Sequence, residues 1–348
     1  MSRLSVAVFF LLYACAPAAH AVKVSGIYEA EVSVQDRSVA NRKAALSAAL
    51  GVVIAKVTGN RNAAESPALV PLLRLAEGYV QRDQYREAAP GGAGGTGQLK
   101  LWARFDEATL NNDLRQLGLP VWDLERPSIL LWLVTSDSAG RGFVAPEDQT
   151  QYMAPVEERT RARGLALVFP LFDLQDAEGL QAGDIGSGPS DAVLEASRRY
   201  QADSILAGNV ESTAPGIWEG RWTAYIAGEA ATWTGAADMP ETVIEEGIDE
   251  MADRLAARYA QKGSAADAVQ LDVTVSDVNT VDDYARTVKY LASLNSVAAV
   301  QVTRVEPGHV VFSIRVHGGE PALLQALSFG STLEPASGGT SGQYRLLP

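Results

Sequence analysis

Three groups of residues in this chain carry side chains suited to chemistry or ligand contact. Asp173, Asp176 and Glu178 fall in Asp173-Leu174-Gln175-Asp176-Ala177-Glu178-Gly179, directly after a predicted strand. Carboxylates at a strand end suit glycoside cleavage, in which one acid protonates the leaving oxygen while another activates water or attacks. That chemistry needs a raised pKa and a set separation, which spacing alone does not supply, so the segment reads first as an acidic surface loop. Trp218 and Trp222 share one face of a predicted strand, and Trp233 falls on its neighbour. Exposed, these rings would stack on the sugars of peptidoglycan or exported polysaccharide; filling the core under a helix is the simpler expectation, and exposure decides. Gly183-Asp184-Ile185-Gly186-Ser187-Gly188 precedes a predicted helix and has the form of an anion-binding turn, although Asp184 and the lack of a nearby lysine weaken it.

Other signals exclude chemistry. Gly91-Gly92-Ala93-Gly94-Gly95-Thr96-Gly97 contains a literal G-x-G-x-x-G, but a strand follows it where a dinucleotide or phosphate site needs a helix. It reads as a flexible hairpin loop. The hydrolase elbow G-x-S-x-G, S-x-x-K and H-E-x-x-H do not occur. No catalytic residue, cofactor or metal is therefore expected, and the chain is read as non-enzymatic.

The N-terminus carries an export signal. Ser2 and Arg3 precede the apolar run Leu4–Ala16, and Ala19-His20-Ala21 places small residues where signal peptidase cuts, so cleavage is expected before Val22. An alternative is lipidation at Cys15, since Leu12-Tyr13-Ala14-Cys15 loosely resembles a lipobox, with Tyr13 bulky where a small residue is usual. Cleavage after Ala21 removes the single cysteine and one of three histidines, leaving His309 and His317. Disulfides, cysteine nucleophiles and thiolate metal sites go with it, and histidine-rich zinc sites become improbable. The expected location is the periplasm, or the outer membrane if Cys15 is acylated.

With 29 basic and 42 acidic residues the net charge is −13, and losing Arg3 makes it one unit more negative. Such a surface repels nucleic acid and anionic headgroups, so no nucleic-acid partner is expected. No transmembrane segment is expected in the mature chain.

The elements that must position these residues follow from periodicity. Residues 22–125 read as an α+β unit: a strand within Val24–Val34, a helix with Val39, Leu46, Leu50, Val53 and Val57 at helical spacing up to Gly59, a helix over Pro67–Tyr79, strands Val80–Arg86 and Leu99–Phe105, and a helix over Glu107–Leu117. Residues 126–262 read as an α/β unit: strand Ser128–Val134, helix Glu147–Arg163, strand Leu165–Phe169, helix Asp191–Tyr200, strands Ser204–Val210, Trp218–Ile226 and Glu229–Thr234, then helix Glu241–Ala260. On that last helix Glu245, Glu246, Asp249, Glu250 and Asp253 read as a solvated face. After a linker at 263–268, residues 269–348 follow the order β-α-β-β-α-β of a ferredoxin-like domain.

Tyr28–Val34, Val57-Thr58-Gly59-Asn60, and the joint Gly118-Leu119-Pro120-Val121-Trp122 with Arg126-Pro127 and Leu131-Trp132 resemble an exported proteobacterial family known as domain of unknown function 2066. That resemblance runs from about residue 24 to the end and brings no activity or catalytic residue. The block Tyr200–Val210 with the meander and helix after it is similar to the N-terminal α/β domain of TolB, whose relatives act by binding other proteins. The function expected is that of a non-catalytic accessory protein of the cell envelope. Its partners would be envelope proteins, with cell-wall glycan through Trp218, Trp222 and Trp233 as the alternative.

Overall fold

The computed structural model describes residues 24–87, 98–138, 140–148, 152–260, 268–336 and 342–348. The leader with Cys15 and His20, the run Gly91–Gly97 and residues 263–267 of the expected linker lie outside these, while Ala268 already belongs to a strand.

β1 (Glu29–Ser33) leads into α1 (Val39–Thr58). The Ser38 hydroxyl caps α1 by accepting from the Asn41 N–H at 3.3 Å. Gly59 ends the helix at φ +72°, and a Cβ there would collide with Ala256 of a distant helix. Leu46, Leu50, Val53 and Val57 are fully buried, whereas Val39, one turn beyond the sheet, stands in solvent. The single helix expected over Pro67–Tyr79 is broken into 3₁₀ turns at Pro67–Leu69 and Ala76–Tyr79, with only α2 (Val70–Arg74) α-helical. Pro67 and Pro71 bring no N–H donors and Gly78 weakens the last turn, which accounts for the break. β2 (Val80–Glu87), β3 (Leu99–Phe105) and α3 (Glu107–Gln116) complete this part, with an antiparallel sheet in the order β1-β3-β2.

The central sheet is built from β4 (Ser128–Asp137), β5 (Gly140–Phe143), α4 (Met153–Arg163), β6 (Ala166–Val168), α5 (Leu174–Gly179), α6 (Asp191–Ser197), β7 (Ser204–Ala214), β8 (Ile217–Ile226), β9 (Glu229–Ala237) and α7 (Pro240–Tyr259). Its order is β5-β4-β7-β8-β9, with β6 also beside β4. β4 runs parallel to β6 and β7, and the β7-β8-β9 meander is antiparallel. One face packs Leu131, Leu133, Leu206 and Trp222 against Val156 of α4 and Ile244, Ile248, Met251 and Leu255 of α7. The other packs Leu130, Trp132 and Val134 against Val193 of α6 and the chain around it. β4 is thus buried on both faces, which is why its sequence is continuously apolar.

The last sheet comprises β10 (Ala268–Val278), α8 (Val281–Ser293), β11 (Val297–Glu306), β12 (Gly308–His317), α9 (Gly319–Ser328), β13 (Leu333–Pro335) and β14 (Gln343–Leu346). Its order, β11-β12-β10-β14-β13, has the two central strands antiparallel and β10 parallel to β14. The β-α-β-β-α-β element order is present with β13 as an extra strand, but β14 runs parallel to β10, where a ferredoxin-like sheet is antiparallel throughout, and β13 pairs along its outer edge. α8 opens on a reciprocal Thr280/Asp283 capping box. The chain is therefore, among the described residues, an α+β fold of three sheets, the first antiparallel and the other two mixed. Among the described residues no helix is long and apolar enough to cross a membrane.

Candidate functional site

Asp173, Asp176 and Glu178 do not lie on a loop. Asp173 is the N-cap of α5, a helix that periodicity does not reveal in so short and acidic a segment. Its carboxylate takes a two-pronged contact from Arg199, at 2.8 Å to each oxygen. Hydrogen bonding to Arg199, helped by the Asp176 backbone, lowers its pKa to about 2, the reverse of what a general acid requires. Asp176 is buried, accepts from Arg199 at 3.3 Å and from the Tyr200 hydroxyl, and Glu178 is exposed. The two aspartates thus share an arginine that pins α5 to the end of α6, and Glu178 takes no part.

The three tryptophans do share the face that looks at α7, as their spacing predicts, and that face is the core. Trp222 is 2% exposed, and a Cβ on Gly208 or Gly247 would fall inside its ring. Those glycines, with Gly220 beneath the indole, form its slot. Trp233 stacks on Trp222 at 6.5 Å and 13° between planes, and the Arg254 guanidinium covers it at 4.9 Å from the ring centroid. Trp218 packs on Tyr152 at 6.4 Å. Trp222 is thus a core residue, while Trp218 and Trp233 are half-buried on either side of it, because α7 lies across that face.

The glycine-rich turn is spent on structure. The Asp184 carboxylate accepts from the Gln181 N–H at 2.8 Å, Gly186 at φ +94° lies against Asn209, and Arg141 donates to the carbonyls of Ala182 and Ile185 at 2.9 Å each. α6 has seven residues, and the Ser190 N–H before it donates to the Tyr225 hydroxyl at 2.7 Å.

The acidic face of α7 also differs from expectation. Asp249 is buried and meets three arginines: Arg61 at 3.5 Å, Arg163 at 3.1 Å and Arg159. Arg163, itself buried, reaches on to Asp253 at 2.6 Å and to the Gly59 carbonyl at 2.7 Å. The face is half an interface between α7, α4 and the end of α1, and only cations from elements distant in sequence make burial of Asp249 affordable.

A buried polar cluster lies at the segment Trp122–Arg126, between α1, α3, α4 and the turn after α8. The Arg126 side chain is fully buried under the Trp122 ring, 4.1 Å from its centroid. Its guanidinium donates to the carbonyls of Lys56 (2.7 Å), Gly164 (2.7 Å), Arg163 (3.2 Å) and Asp123 (3.1 Å), joining the end of α1 to the end of α4. Burial presses its pKa down, and Tyr28 and Asp123 oppose that. A guanidinium with four carbonyl acceptors stays charged. Asp123 reaches the other way, accepting from the Asn295 N–H at 2.6 Å and the Ser296 N–H at 3.3 Å. Burial raises the Asp123 pKa, while these backbone donors hold it down.

Asn295 closes the junction. Its amide donates to the Tyr28 hydroxyl at 3.0 Å and the Trp122 carbonyl at 3.1 Å, and its oxygen accepts from Asn111 at 3.1 Å. Arg115 donates to its carbonyl. Nearby, the Tyr290 hydroxyl donates to Glu125 at 2.9 Å, and Gly330 is packed so tightly on that pair that a Cβ would strike the hydroxyl. Burial, then Glu125, pushes the Tyr290 pKa up, which keeps the phenol a donor. The Trp122-to-Arg126 joint is visible in sequence as a Pro- and Trp-bearing boundary; Tyr28, Asn111 and Asn295 carry no local signal of their part in it.

Residues 21–123 match a family described as Domain of unknown function (DUF8605). The match ends inside the junction and covers the first sheet with its helices. No curated protein matches the chain. Among solved structures, one titled "Crystal structure of uncharacterized protein" is similar at 13% identity over 38% of this chain and 99% of its own, with a TM-score of 0.16.

Proposed function

We propose that the protein is an exported, non-catalytic accessory protein of the bacterial cell envelope, which holds three small domains in one arrangement and offers their outer surfaces to protein partners. Boundaries near residues 125 and 263–268 are supported by separate hydrophobic cores for the first sheet, the two faces of the central sheet and the last sheet. The observation that carries this reading is the buried junction around Arg126, Asp123 and Asn295. Its polar groups are spent on joining one unit to another, and such a network fixes relative orientation more than it adds stability. The carboxylates best placed for hydrolysis are likewise engaged, in the Arg199 clamp and the Asp249 cluster. The export signal supports the periplasm as its location, and the TolB-like resemblance fits a role in binding proteins.

The surface for partners is sought at the far end of the last sheet. There Val281 (82% exposed) and Val305 (68% exposed) stand in solvent beside Tyr284 and Pro307. Exposed branched aliphatics flanking a tyrosine make a surface that gains from burial by a protein. The test is a photo-crosslinking residue placed at Val305 in living cells, with one at Glu178 as control. Reproducible crosslinks to an envelope protein from position 305 alone, lost when Asn295→Ala loosens the junction, are expected. Equal crosslinking from both positions, or none from either, sinks the reading.

A further inference from the structure

Among the described residues, free sheet edges are blunted in the ways that keep edge strands from pairing, with one exception. β1 carries Glu29 and Glu31, β2 carries Arg82, Asp83, Arg86 and Glu87, β5 and β6 are four and three residues long, and β13 ends on Pro335. β11 is ten residues long but is bulged twice against β12, between Val297 and Ala299 and between Val302 and Arg304. β9 has none of these devices. Its nine residues, Glu-Ala-Ala-Thr-Trp-Thr-Gly-Ala-Ala, pair with β8 without a register shift, and no charge, proline or bulge interrupts Ala230–Ala237.

We propose that β9 pairs edge to edge with β9 of a second copy of this chain, antiparallel about a two-fold axis at Trp233, the midpoint of the strand. Full overlap fixes the register: Thr232 faces Thr234 of the second copy, Ala231 faces Gly235, Ala230 faces Ala236 and Glu229 faces Ala237. No like charges oppose one another, and Thr–Thr pairs are favourable across antiparallel strands. Only even spacing keeps α7 on the same side of the sheet in both copies, and this register satisfies it.

Charge on α7 fits the same axis. α7 runs back along β9, so Glu246 lies over Gly235, Arg254 over Trp233, and Arg258 reaches Glu229 at 3.5 Å. Because Ala231 faces Gly235 of the second copy, that copy's Glu246 carboxylate arrives between Arg254 and Arg258 of the first. The two-fold repeats the contact in reverse, making an isologous interface with two such clusters. Trp222 and Trp233 of the two copies then form one continuous row.

Sedimentation velocity of the purified protein is expected to give a species of twice the chain mass at concentrations up to about 100 μM, a range that covers weak interfaces. T232K/T234K puts lysines face to face at exposed positions and is expected to weaken the dimer at least tenfold, with circular dichroism unchanged. E246R is expected to weaken it as well, and E246R/R254E to restore it, which keeps the register testable if the lysine variant folds poorly. A monomeric native protein overturns the proposal. So does a dimer indifferent to both T232K/T234K and E246R, or an E246R defect that R254E fails to relieve.

Discussion

Two polar clusters in this molecule use the same chemistry to different ends. At the junction, Arg126, Asp123 and Asn295 are withdrawn from water and join Tyr28, before β1, and residues of α1, α3 and α4 to the turn between α8 and β11. On α5, Arg199 binds the exposed Asp173 and reaches the buried Asp176 from the solvent side, and connects two short helices of one sheet. Burial separates them. An arginine in water loses little when its partner goes, whereas a buried one strands every carbonyl it served.

The hardest test of this contrast is Arg126→Ala, which orphans four carbonyls and empties the space beneath Trp122. A loss of roughly 3–5 kcal/mol in urea-monitored unfolding is expected, in line with the breaking of buried charged networks. Arg126→Lys is expected to recover little, because an ammonium cannot span the same fork of acceptors.

Next comes Lys56, whose backbone carbonyl accepts from Arg126 and whose ammonium donates to the Glu29 and Gly26 carbonyls at 2.8 and 3.2 Å. Burial, then Arg126, lowers its pKa to about 8. A base that binds protons less readily when folded makes stability rise as pH climbs from about 8 towards its ordinary value, by up to about 3 kcal/mol. The Lys56→Met variant is expected to flatten thermal-melt midpoints over that window; an unchanged slope would refute the assignment.

Asn295→Ala is expected to cost about 1–3 kcal/mol, since it removes one buried amide while Asp123 keeps its backbone donors. Limited proteolysis reads the same event, with cleavage between α7 and β10 accelerating as the last sheet loosens.

The smallest effect is expected at the surface cluster. Because Asp173 has its pKa lowered by Arg199, its contribution to stability is present above the ordinary aspartate range and is lost as pH falls towards 2. Asp173→Asn is expected to shallow that acid limb by lowering the melt slightly at neutral pH, far less than Arg126→Ala does, because the pair is solvent-screened. Asp123, raised by burial, acts with the opposite sign: its contribution is present at low pH and is lost as pH rises through its raised value. A fall in neutral-pH stability from Asp173→Asn as large as that from Arg126→Ala would end the comparison.

Much of the architecture was legible in residue order. The amphipathic spacing of Leu46, Leu50, Val53 and Val57, the unbroken apolar run of β4, and the β-α-β-β-α-β order of the last sheet depend on contacts repeated along the chain. Such contacts leave a period. α5 was not legible, because a six-residue helix set by the Asp173 cap has no period to read.

What the sequence determined by itself is therefore the set of elements, the ferredoxin-like order and the even spacing that puts Trp218 and Trp222 on one face. Only the tertiary structure decided which way that face looks. Trp222 is buried because Gly208, Gly220 and Gly247 from β7, β8 and α7 converge to make room for its ring. Asp249 is buried because Arg61, Arg159 and Arg163 arrive from α4 and the chain beyond α1. Neither convergence is periodic in the chain, since each joins residues whose separation in sequence has no bearing on their distance in space.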